Sequence, residues 1–323
     1  MKTVLIAGAG QLGSRHLQAL SHLDVTFEVW VYDVSTNSLE VARERYQQVA
    51  IESSPKVTFT DELPKALSVD VCIIATNSAI RYQLMKDILE SNDVKYMLLE
   101  KVLFQTLSEL ESASHMLEQY NTKAWVNCPR RMYTLYQDLK VRLSGKRVDI
   151  KVTGQGWGLA CNAVHYIDLW HYLNESELLF SASFLDGSYV VDSKRAGYKE
   201  VIGIFNANAE NYHSALVLEC EDGGSDGVSF EIVLDTIDES IVINEIAGTM
   251  TVMNKHTQAT QQLSISTPFQ SGLTHLFIQK VLSDKCQLTP YLESKKHHQL
   301  LLNSIFPLLS HELAIQTDIA PIT

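Results

Sequence analysis

A glycine turn near the start of the chain constrains the fold more than any other feature. A short apolar run leads directly into the pattern G-x-G-x-x-G, and a helical pattern follows. Gly8 permits a tight turn from strand to helix, Gly10 leaves no side chain to block a diphosphate, and Gly13 lets the helix pack closely on the strand. The N–H groups of the first helical turn, around Gln11 and Leu12, then face the phosphates. The pattern therefore predicts a dinucleotide site.

An acidic residue at the end of the next strand supports this interpretation. The apolar run Phe27–Tyr32 ends in Asp33, twenty residues beyond the last glycine. A carboxylate there can accept hydrogen bonds from the 2′- and 3′-hydroxyls of a ribose. It would also repel a 2′-phosphate, and Arg43 and Arg45 lie further on, within the next predicted helix. The sequence therefore favours NAD over NADP.

The composition is that of a globular chain and argues against several kinds of partner. Its 323 residues suffice for two domains, each with its own core. A net charge of −12 without a basic cluster argues against nucleic acid or an anionic membrane as partner. Five scattered cysteines without a C-x-x-C pair indicate reduced thiols. No apolar run has the length of a signal peptide or a membrane span, so a cytoplasmic protein is expected.

Short β-like runs alternate with helical patterns over the first 120 or so residues. This alternation predicts a doubly wound parallel sheet, the Rossmann type of α/β fold. The predicted strands are Thr3–Ala7, Phe27–Tyr32, Val57–Thr60, Val71–Ala75, Tyr96–Leu99 and Ala124–Asn127. The predicted helices are Leu12–Leu23, Leu39–Gln48, Ser78–Glu90 and Ser108–Tyr120, with a further short helix that begins at the turn Asp61–Pro64 and ends at Leu67.

From about residue 148 the strands follow one another without intervening helices, which predicts an α+β domain with a large, mostly antiparallel open sheet. The predicted strands are Leu179–Leu185, Glu200–Asn206, Ser214–Glu219, Val228–Leu234 and Ser240–Ile246, and the predicted helices are Cys161–Leu173, Thr274–Val281 and Tyr291–Leu309. We therefore expect a Rossmann domain over residues 1–122, to which the last helix can return, and a substrate and oligomerisation domain over residues 123–323. Because such a sheet has a face that its own helices need not cover, a homodimer or homotetramer formed through it is expected.

Further patterns follow the glycine turn in a fixed order. The fifth strand ends in Glu100-Lys101, which places Lys101 outside the carboxyl end of a strand, where ligands of open α/β sheets bind. Asn127–Tyr133 links the sixth strand to the next helix, and Gly156–Asp168 carries His165 on the helix that opens the second domain. Together with Leu288–Glu293 before the last helix, these patterns resemble the glucose-fructose oxidoreductase / inositol dehydrogenase / MocA family of NAD(P)-dependent oxidoreductases over nearly the whole chain.

The resemblance implies hydride transfer between a nicotinamide and a substrate carbon. Lys101 would hydrogen-bond the reacting oxygen and stabilise alkoxide charge, His165 would carry the proton, and Asp168, one turn later, is a third catalytic candidate. The predicted cofactor contacts are Gly8, Gly10, Gln11, Leu12, Gly13, Asp33, Thr76, Asn77, Glu100 and Lys101. The predicted substrate contacts are Lys101, Arg130, Trp157, Asn162 and His165. No metal is predicted, because on a helix His171 turns away from His165 and Asp168.

The first two departures from the family pattern lie beside the predicted cofactor. Val102 follows Lys101 where the family usually has proline, and a valine rarely takes a cis peptide bond. After the fourth strand, the segment 75–78 reads Ala-Thr-Asn-Ser where the family commonly shows Ala-Thr-Pro-Asn. Arg81 stands near the place of a family histidine. The sequence therefore defines the side of the nucleotide next to the fourth strand less well than the side next to the glycine turn.

A third departure lies on the helix of the second domain. Cys161 occupies the position, four residues before His165, where the family often has an aspartate. Asn162 shares a helix face with His165 and can orient the imidazole ring, but it cannot supply negative charge. Asp168 can serve instead, or it can hold structure through a salt bridge.

Several candidates also have structural interpretations. Lys101 could be a solvated charge at a strand end, and His165 a hydrogen-bonded core histidine. Arg130 and its neighbour Arg131 could be surface charges, and Trp157 could be a packing or lid residue. The pair at positions 297 and 298, both histidines, is expected on a solvated helix face.

The leading hypothesis is an NAD-dependent oxidoreductase that acts at a carbinol or ketone carbon of a sugar, cyclic polyol or nucleotide-linked sugar. The alternative is a non-catalytic NAD-binding sensor or partner-binding protein that retains the fold. A weaker third hypothesis is a reductase of a non-sugar substrate, such as a linear tetrapyrrole or a cyclic diol.

Overall fold

The computed structural model describes residues 1–174, 180–209, 214–224, 227–313 and 317–323. The chain forms two compact units. The first combines Met1–Pro129 with Pro268–Lys295, and the second combines Arg130–Thr267 with Lys296–Thr323. The chain therefore leaves the first unit after Pro129 rather than after residue 122, and it revisits that unit before it ends in the second.

The regular elements of the described residues alternate between strand and helix in the first half and are mainly strands in the second. The strands are β1 (Lys2–Ala7), β2 (Phe27–Tyr32), β3 (Lys56–Thr60), β4 (Ser68–Ile74), β5 (Asp93–Leu99), β6 (Lys123–Val126), β7 (Asp149–Gln155), β8 (Phe180–Asp192), β9 (Lys199–Ala209), β10 (Ser214–Glu221), β11 (Ser229–Asp235), β12 (Glu239–Asn244), β13 (Thr249–Asn254), β14 (Thr260–Ser264) and β15 (Thr289–Pro290). The helices are α1 (Gln11–Leu20), α2 (Thr36–Gln47), α3 (Ser78–Ser91), α4 (Leu107–Gln119), α5 (Thr134–Arg142), α6 (Leu159–Leu173), α7 (Thr274–Leu282) and α8 (Tyr291–Leu313).

The described strands of the first unit form one sheet in the order β15-β6-β5-β4-β1-β2-β3. Strands β1 to β6 run parallel, and β15 joins the edge in the antiparallel direction, with Thr289 opposite Val126. The last four residues of β1, β4 and β5 are all buried, which requires both faces of the sheet to be covered. The predicted Rossmann domain is confirmed. Its strand order reverses between β1 and β4, which is the switch point where such sheets bind ligands.

The short helix predicted between Asp61 and Leu67 does not form, so this prediction was wrong. Asn92, at the end of α3, holds the segment in an open turn. Its side-chain oxygen accepts the N–H of Leu67 at 3.0 Å, and its amide donates to the carbonyl of Pro64 at 3.0 Å. Ala66 has a φ of +57°, which lies outside the right-handed helical region. A side chain distant in sequence therefore overrides the local helix signal.

The described strands of the second unit form a sheet in the order β14-β13-β12-β11-β7-β10-β9-β8. Only β7 and β10 pair in parallel among these neighbours, so the predicted, mostly antiparallel sheet is confirmed. Buried and partly accessible residues alternate along β10 and β12, so one face of the sheet lies on the core. Helix α6 packs on that core, where the indole N–H of Trp170 donates to the hydroxyl of Ser214 at 3.1 Å. Leu179, where one predicted strand began, lies outside the described residues.

Helix α8 corrects the expectation for the two adjacent histidines near the end of the chain. His297 and His298 are fully buried rather than on a solvated face. Burial lowers the pKa of His297 well below its ordinary value, and the neighbouring charges of His171 and Arg131 act in the same direction. Although α8 has 23 residues, none of the described helices has the length and hydropathy needed to cross a membrane.

Candidate functional site

The glycine turn between β1 and α1 has the backbone geometry that a dinucleotide requires. Gly8 has a φ of +99°, in the left-handed region that favours glycine. A Cβ on Gly13 would lie 1.8 Å from the carbonyl oxygen of Gly8, so only glycine allows α1 to approach the turn so closely. A Cβ on Gly10 would point into open space, with nothing within 4 Å. Because α1 begins without a side-chain cap or an acidic residue in its first turn, its positive end has no local counter-charge. These features fit a diphosphate.

Asp33 lies at the rim of this turn, at the end of β2. One carboxylate oxygen accepts the N–H of Ala9 at 2.7 Å, and the other accepts the N–H of Ser35 at 2.8 Å. These bonds fix the orientation of the carboxylate beside the glycine turn. Since each oxygen has two acceptor sites, Asp33 can still bind the hydroxyl pair of a ribose.

The segment after β4 forms a second wall of the turn. A Cβ on Gly8 would lie 3.0 Å from both the backbone of Ala75 and the methyl carbon of Thr76. The hydroxyl oxygen of Thr76 is buried and has no hydrogen-bond partner among the described residues. Asn77 accepts the N–H of Ile80 at 3.3 Å and thereby caps α3. Thr76 therefore lines the turn, whereas Asn77 fixes the start of the helix that follows it.

Arg81, a departure from the family pattern, is a buried guanidinium with an exposed fraction of 1%. Its Nη1 donates to the carbonyl oxygens of Val102 and Leu103, the second at 2.8 Å. Its Nη2 donates to the carbonyl oxygen of Thr76. Arg81 therefore joins the segment after β4 to the segment after β5.

Glu100, a predicted cofactor contact, faces the interior of the first unit with only 3% of its surface exposed. Its Oε1 lies 2.8 Å from Nε2 of His16 and accepts the side-chain amide of Asn127 at 2.6 Å. Burial raises the pKa of Glu100, but the hydrogen bonds and charges of His16, Asn127 and Arg81 outweigh burial, so the pKa is lowered overall. The carboxylate of Glu100 is therefore buried and bonded to other side chains of the first unit.

The polar network around Glu100 continues into the segment that returns to the first unit. Oγ1 of Thr274 lies 2.8 Å from Nδ1 of His16. Gln270 accepts the amide of Asn127 at 2.9 Å and donates to Thr274 at 3.0 Å. His16 and Thr274 are 258 positions apart, so sequence reasoning had no local signal for this network.

Lys101, the next residue after Glu100, is partly accessible at the carboxyl end of β5. Its peptide bond to Val102 is cis, so the expectation that valine disfavours a cis bond here was wrong. The carbonyl of Val102 is bound by the buried Arg81. Lys101 thus belongs to the switch-point edge of the first sheet, together with Gly8 and Thr76.

The second unit carries His165 and Asp168 on α6, in different environments. His165 is half-buried, whereas Asp168 is fully buried. The guanidinium of Arg131 donates twice to Asp168, with Nη2 to Oδ1 at 2.7 Å and Nε to Oδ2 at 3.0 Å. Nδ1 of His297 lies 3.6 Å from Oδ1 of the same carboxylate. These contacts favour the structural interpretation of Asp168.

Arg130 and Trp157, two predicted substrate contacts, take part in packing within the second unit. Arg130 donates to both carboxylate oxygens of Glu245, at 3.0 and 2.6 Å, and its guanidinium lies 4.6 Å from the ring centre of Tyr166. Trp157 is 5% exposed and packs edge-on against Tyr166. Its indole N–H donates to the carbonyl of Glu219 at 2.9 Å. The charge of Arg130 is therefore balanced by the protein itself.

Glu200 of β9 holds the start of α6, a role that no sequence pattern indicated. Its carboxylate accepts the N–H of Ala160 at 2.9 Å and that of Cys161 at 3.1 Å. A carboxylate at this end of a helix is stabilised by the helix dipole. Asn162, predicted to orient His165, donates its amide to the carbonyl of Trp157 at 2.6 Å. The carboxylate of Glu200 therefore lies beside Cys161, the position where the family often has an aspartate.

Comparisons with known proteins agree with this geometry. The profile of the Gfo/Idh/MocA family, described as an oxidoreductase family with an NAD-binding Rossmann fold, matches residues 2–128. No curated protein is similar enough in sequence to count as a relative.

Several solved structures resemble the whole chain. UDP-N-acetylglucosamine 3-dehydrogenase GnnA from Acidithiobacillus ferrooxidans is 11% identical, with 97% of each chain covered and a TM-score of 0.69. An oxidoreductase from Agrobacterium radiobacter in complex with NAD+, L-tartaric acid and magnesium is 12% identical, with 96% of this chain and 97% of that chain covered and a TM-score of 0.68. A super-repressor mutant of Gal80p from Saccharomyces cerevisiae is 13% identical, with 97% and 96% covered and a TM-score of 0.73. Residues 2–128 thus match the profile of the Gfo/Idh/MocA oxidoreductase family, and the chain as a whole has the two-domain fold of these solved structures.

Proposed function

We propose that this protein is an NAD-dependent oxidoreductase that transfers a hydride between nicotinamide and a carbinol or ketone carbon of a sugar, cyclic polyol or nucleotide-linked sugar. The observation that carries the proposal is the glycine turn with Asp33 at its rim, 2.7 Å from the N–H of Ala9. The family match supports the cofactor class. The likeness to a dehydrogenase of a nucleotide-linked sugar supports the substrate class.

The side chains of the protein then have separate tasks. Nicotinamide supplies the hydride chemistry when it is bound. Lys101 would hydrogen-bond the reacting oxygen and stabilise its negative charge. His165 would accept or donate the hydroxyl proton, since the ordinary pKa of histidine lies close to neutral pH. We assign Asp168 and Arg130 to structure, because each forms a two-bond ion pair with another side chain.

The proposed cofactor preference rests on charge at the rim of the turn. The carboxylate of Asp33 attracts ribose hydroxyls and repels a 2′-phosphate. Binding of NAD should therefore be tighter than binding of NADP.

The test is an assay of purified protein with NAD and a panel of sugars, cyclic polyols and nucleotide-linked sugars. A dehydrogenase would raise the absorbance at about 340 nm, a wavelength set by the reduced cofactor. Lys101→Ala should lower kcat by at least about a hundredfold while NAD still binds. Lys95→Ala is the matched control, because Lys95 is an exposed lysine on the same strand. Near-normal turnover of Lys101→Ala would remove this residue from the chemistry.

A non-catalytic NAD-binding sensor is the second candidate. Two observations favour it: Cys161 stands where the family often has an aspartate, and the fold of the chain resembles that of a super-repressor mutant of Gal80p. A sensor would be stabilised against thermal unfolding by NAD. It would show no turnover with any member of the panel.

A further inference from the structure

Arg45 of α2 extends its side chain along α1 to the glycine turn. Its Nη1 donates to the hydroxyl of Ser14 at 2.6 Å, and its Nη2 donates to the side-chain oxygen of Gln11 at 2.9 Å. The backbone carbonyl of Arg45 also accepts the side-chain amide of Gln18, which lies further along α1, at 3.1 Å. The guanidinium therefore lies at the first turn of α1, although sequence analysis placed Arg45 away from the cofactor.

This position brings two positive groups together. The start of α1 is the positive end of the helix dipole, and its first turn holds no acidic residue. Arg45 has no carboxylate within ion-pair distance in the part of the chain that the structure describes. Its two hydrogen-bond partners, Gln11 and Ser14, are both neutral. A cation next to the positive end of a helix is unfavourable unless an anion binds between them.

We propose that Arg45 binds a phosphate group of the dinucleotide and so completes the cradle formed by the glycine turn. The inference rests on the proposed function and names a further residue of the same site. A guanidinium has five N–H donors in a planar fork that matches phosphate oxygens, and Arg45 uses two of its hydrogens on Ser14 and Gln11. The remaining donors are available to an anion at the rim of the turn, where Arg45 is partly accessible.

Two phosphates of a dinucleotide could occupy this position. The diphosphate is common to NAD and NADP, whereas the 2′-phosphate belongs to NADP alone. Asp33 approaches the same loop from the other side, through the N–H of Ala9. If Arg45 binds the 2′-phosphate, it offsets the repulsion by Asp33 and narrows the preference for NAD.

The experiment compares nucleotide binding to the wild type and to Arg45→Gln by titration calorimetry. The probes are NAD, NADP, ADP and adenosine 2′,5′-bisphosphate. Loss of a charged hydrogen bond should raise Kd about tenfold to a hundredfold. A loss shared by NAD, NADP and ADP assigns Arg45 to the diphosphate. A loss confined to NADP and the 2′,5′-bisphosphate assigns it to the 2′-phosphate.

Arg43→Gln is the matched control, because Arg43 is exposed on the same helix and its guanidinium lies over the ring of Phe59, 4.4 Å from the centre. This variant should change Kd by less than about threefold, as expected for an exposed charge. The salt dependence of Kd should be weaker in Arg45→Gln than in the wild type, a change that a purely structural role would not produce. Arg45→Lys keeps the charge and should recover part of the affinity.

The outcomes separate the inference from the proposed function. If the wild type binds NAD and Arg45→Gln binds all four probes equally well, the role of Arg45 is overturned while the proposed function stands. If Arg45→Gln loses affinity only because α1 and α2 separate, its ligand-free melting temperature falls, Arg45→Lys restores no affinity, and the inference is again overturned. If the wild type binds no nucleotide, both fail together.

Discussion

Asp33 is the single residue whose replacement should change cofactor choice most directly. Asp33→Asn keeps an oxygen acceptor beside Ala9 but removes the negative charge. We expect NAD affinity to fall by about 1.5–3 kcal/mol, the worth of a charged hydrogen bond. NADP should lose less, because the repulsion of its 2′-phosphate disappears with the charge. Calorimetric titration with both nucleotides measures the ratio of the two Kd values, and an unchanged ratio would contradict the ribose role of Asp33.

Glu100 should control part of the pH dependence of stability. Burial alone would raise its pKa, but bonds and charges from His16, Asn127 and Arg81 lower it below the ordinary value of 4.5. A carboxyl group with a lowered pKa contributes stability that is present above the unfolded pKa and is lost as the pH falls through the folded pKa. Glu100→Gln should therefore lower the free energy of unfolding by about 1–3 kcal/mol at neutral pH. The difference from the wild type should shrink below pH 4.5.

Urea unfolding of both proteins at pH 7 and at about pH 3.5 measures this difference. Glu90→Gln provides the control, because the side chain of Glu90 is half exposed and lies 3.8 Å from Lys86. A gap between wild type and Glu100→Gln that stays constant with pH would show that Glu100 has the same pKa in the folded and unfolded states.

Arg81 acts at the scale of elements, because it ties the loop after β4 to the loop after β5. Arg81→Met would leave the carbonyl oxygens of Thr76, Val102 and Leu103 without this donor in a buried region. We expect a loss of at least about 3 kcal/mol in the free energy of unfolding, since each buried acceptor without a partner costs about 1–3 kcal/mol. Arg81→Lys keeps the charge without the planar fork, so its free energy of unfolding should lie between those of the wild type and Arg81→Met. Denaturant unfolding measures the order of these stabilities. An Arg81→Met variant as stable as the wild type would show that Arg81 does not hold the two loops together.

Most elements of the first unit could be predicted, because their signals lie within single windows of sequence. Strand β2 occupies the predicted range Phe27–Tyr32, since an apolar run bounded by polar residues defines it locally. In the second unit, β7, β13 and β14 have no predicted counterpart. The segment Thr260–Ser264 is largely polar and exposed, so no hydrophobic alternation marks it as a strand. It is a strand because it pairs with Thr249–Asn254, and that partnership is not visible in either segment alone.

The candidate site likewise contains residues that sequence patterns indicate and residues that they do not. The glycine turn and Asp33 could be recognised because one short strand-helix-strand unit holds them all. Glu200 could not be recognised, because it meets the start of α6 from a strand 40 positions away from Ala160. The reach of Arg45 back to Gln11 was also invisible, since a helical pattern indicates which face a residue is on but not how far a long side chain extends. Contacts between distant segments are therefore what sequence reasoning lacked.

At the scale of the whole molecule, we expect the partly accessible face of the second sheet to mediate self-association. Along β12, Ile241 and Ile243 are buried, whereas Val242 points to the opposite face and is only partly covered. Val242 lies opposite Val233 of β11, which is partly covered as well. This face therefore presents valine side chains at the centre of a broad sheet, where a second copy of the chain can exclude water.

We expect a homodimer or homotetramer in solution, and Val242→Glu should shift it towards the monomer. A buried carboxylate without a partner costs several kcal/mol, and in a two-fold interface the change is present on both sides. Ile237→Glu is the matched control, because Ile237 is 82% exposed in the turn after β11. Light scattering after size exclusion gives the mass of each variant. A wild type that is monomeric at tens of micromolar, or a Val242→Glu variant of unchanged mass, would show that this face is not the interface.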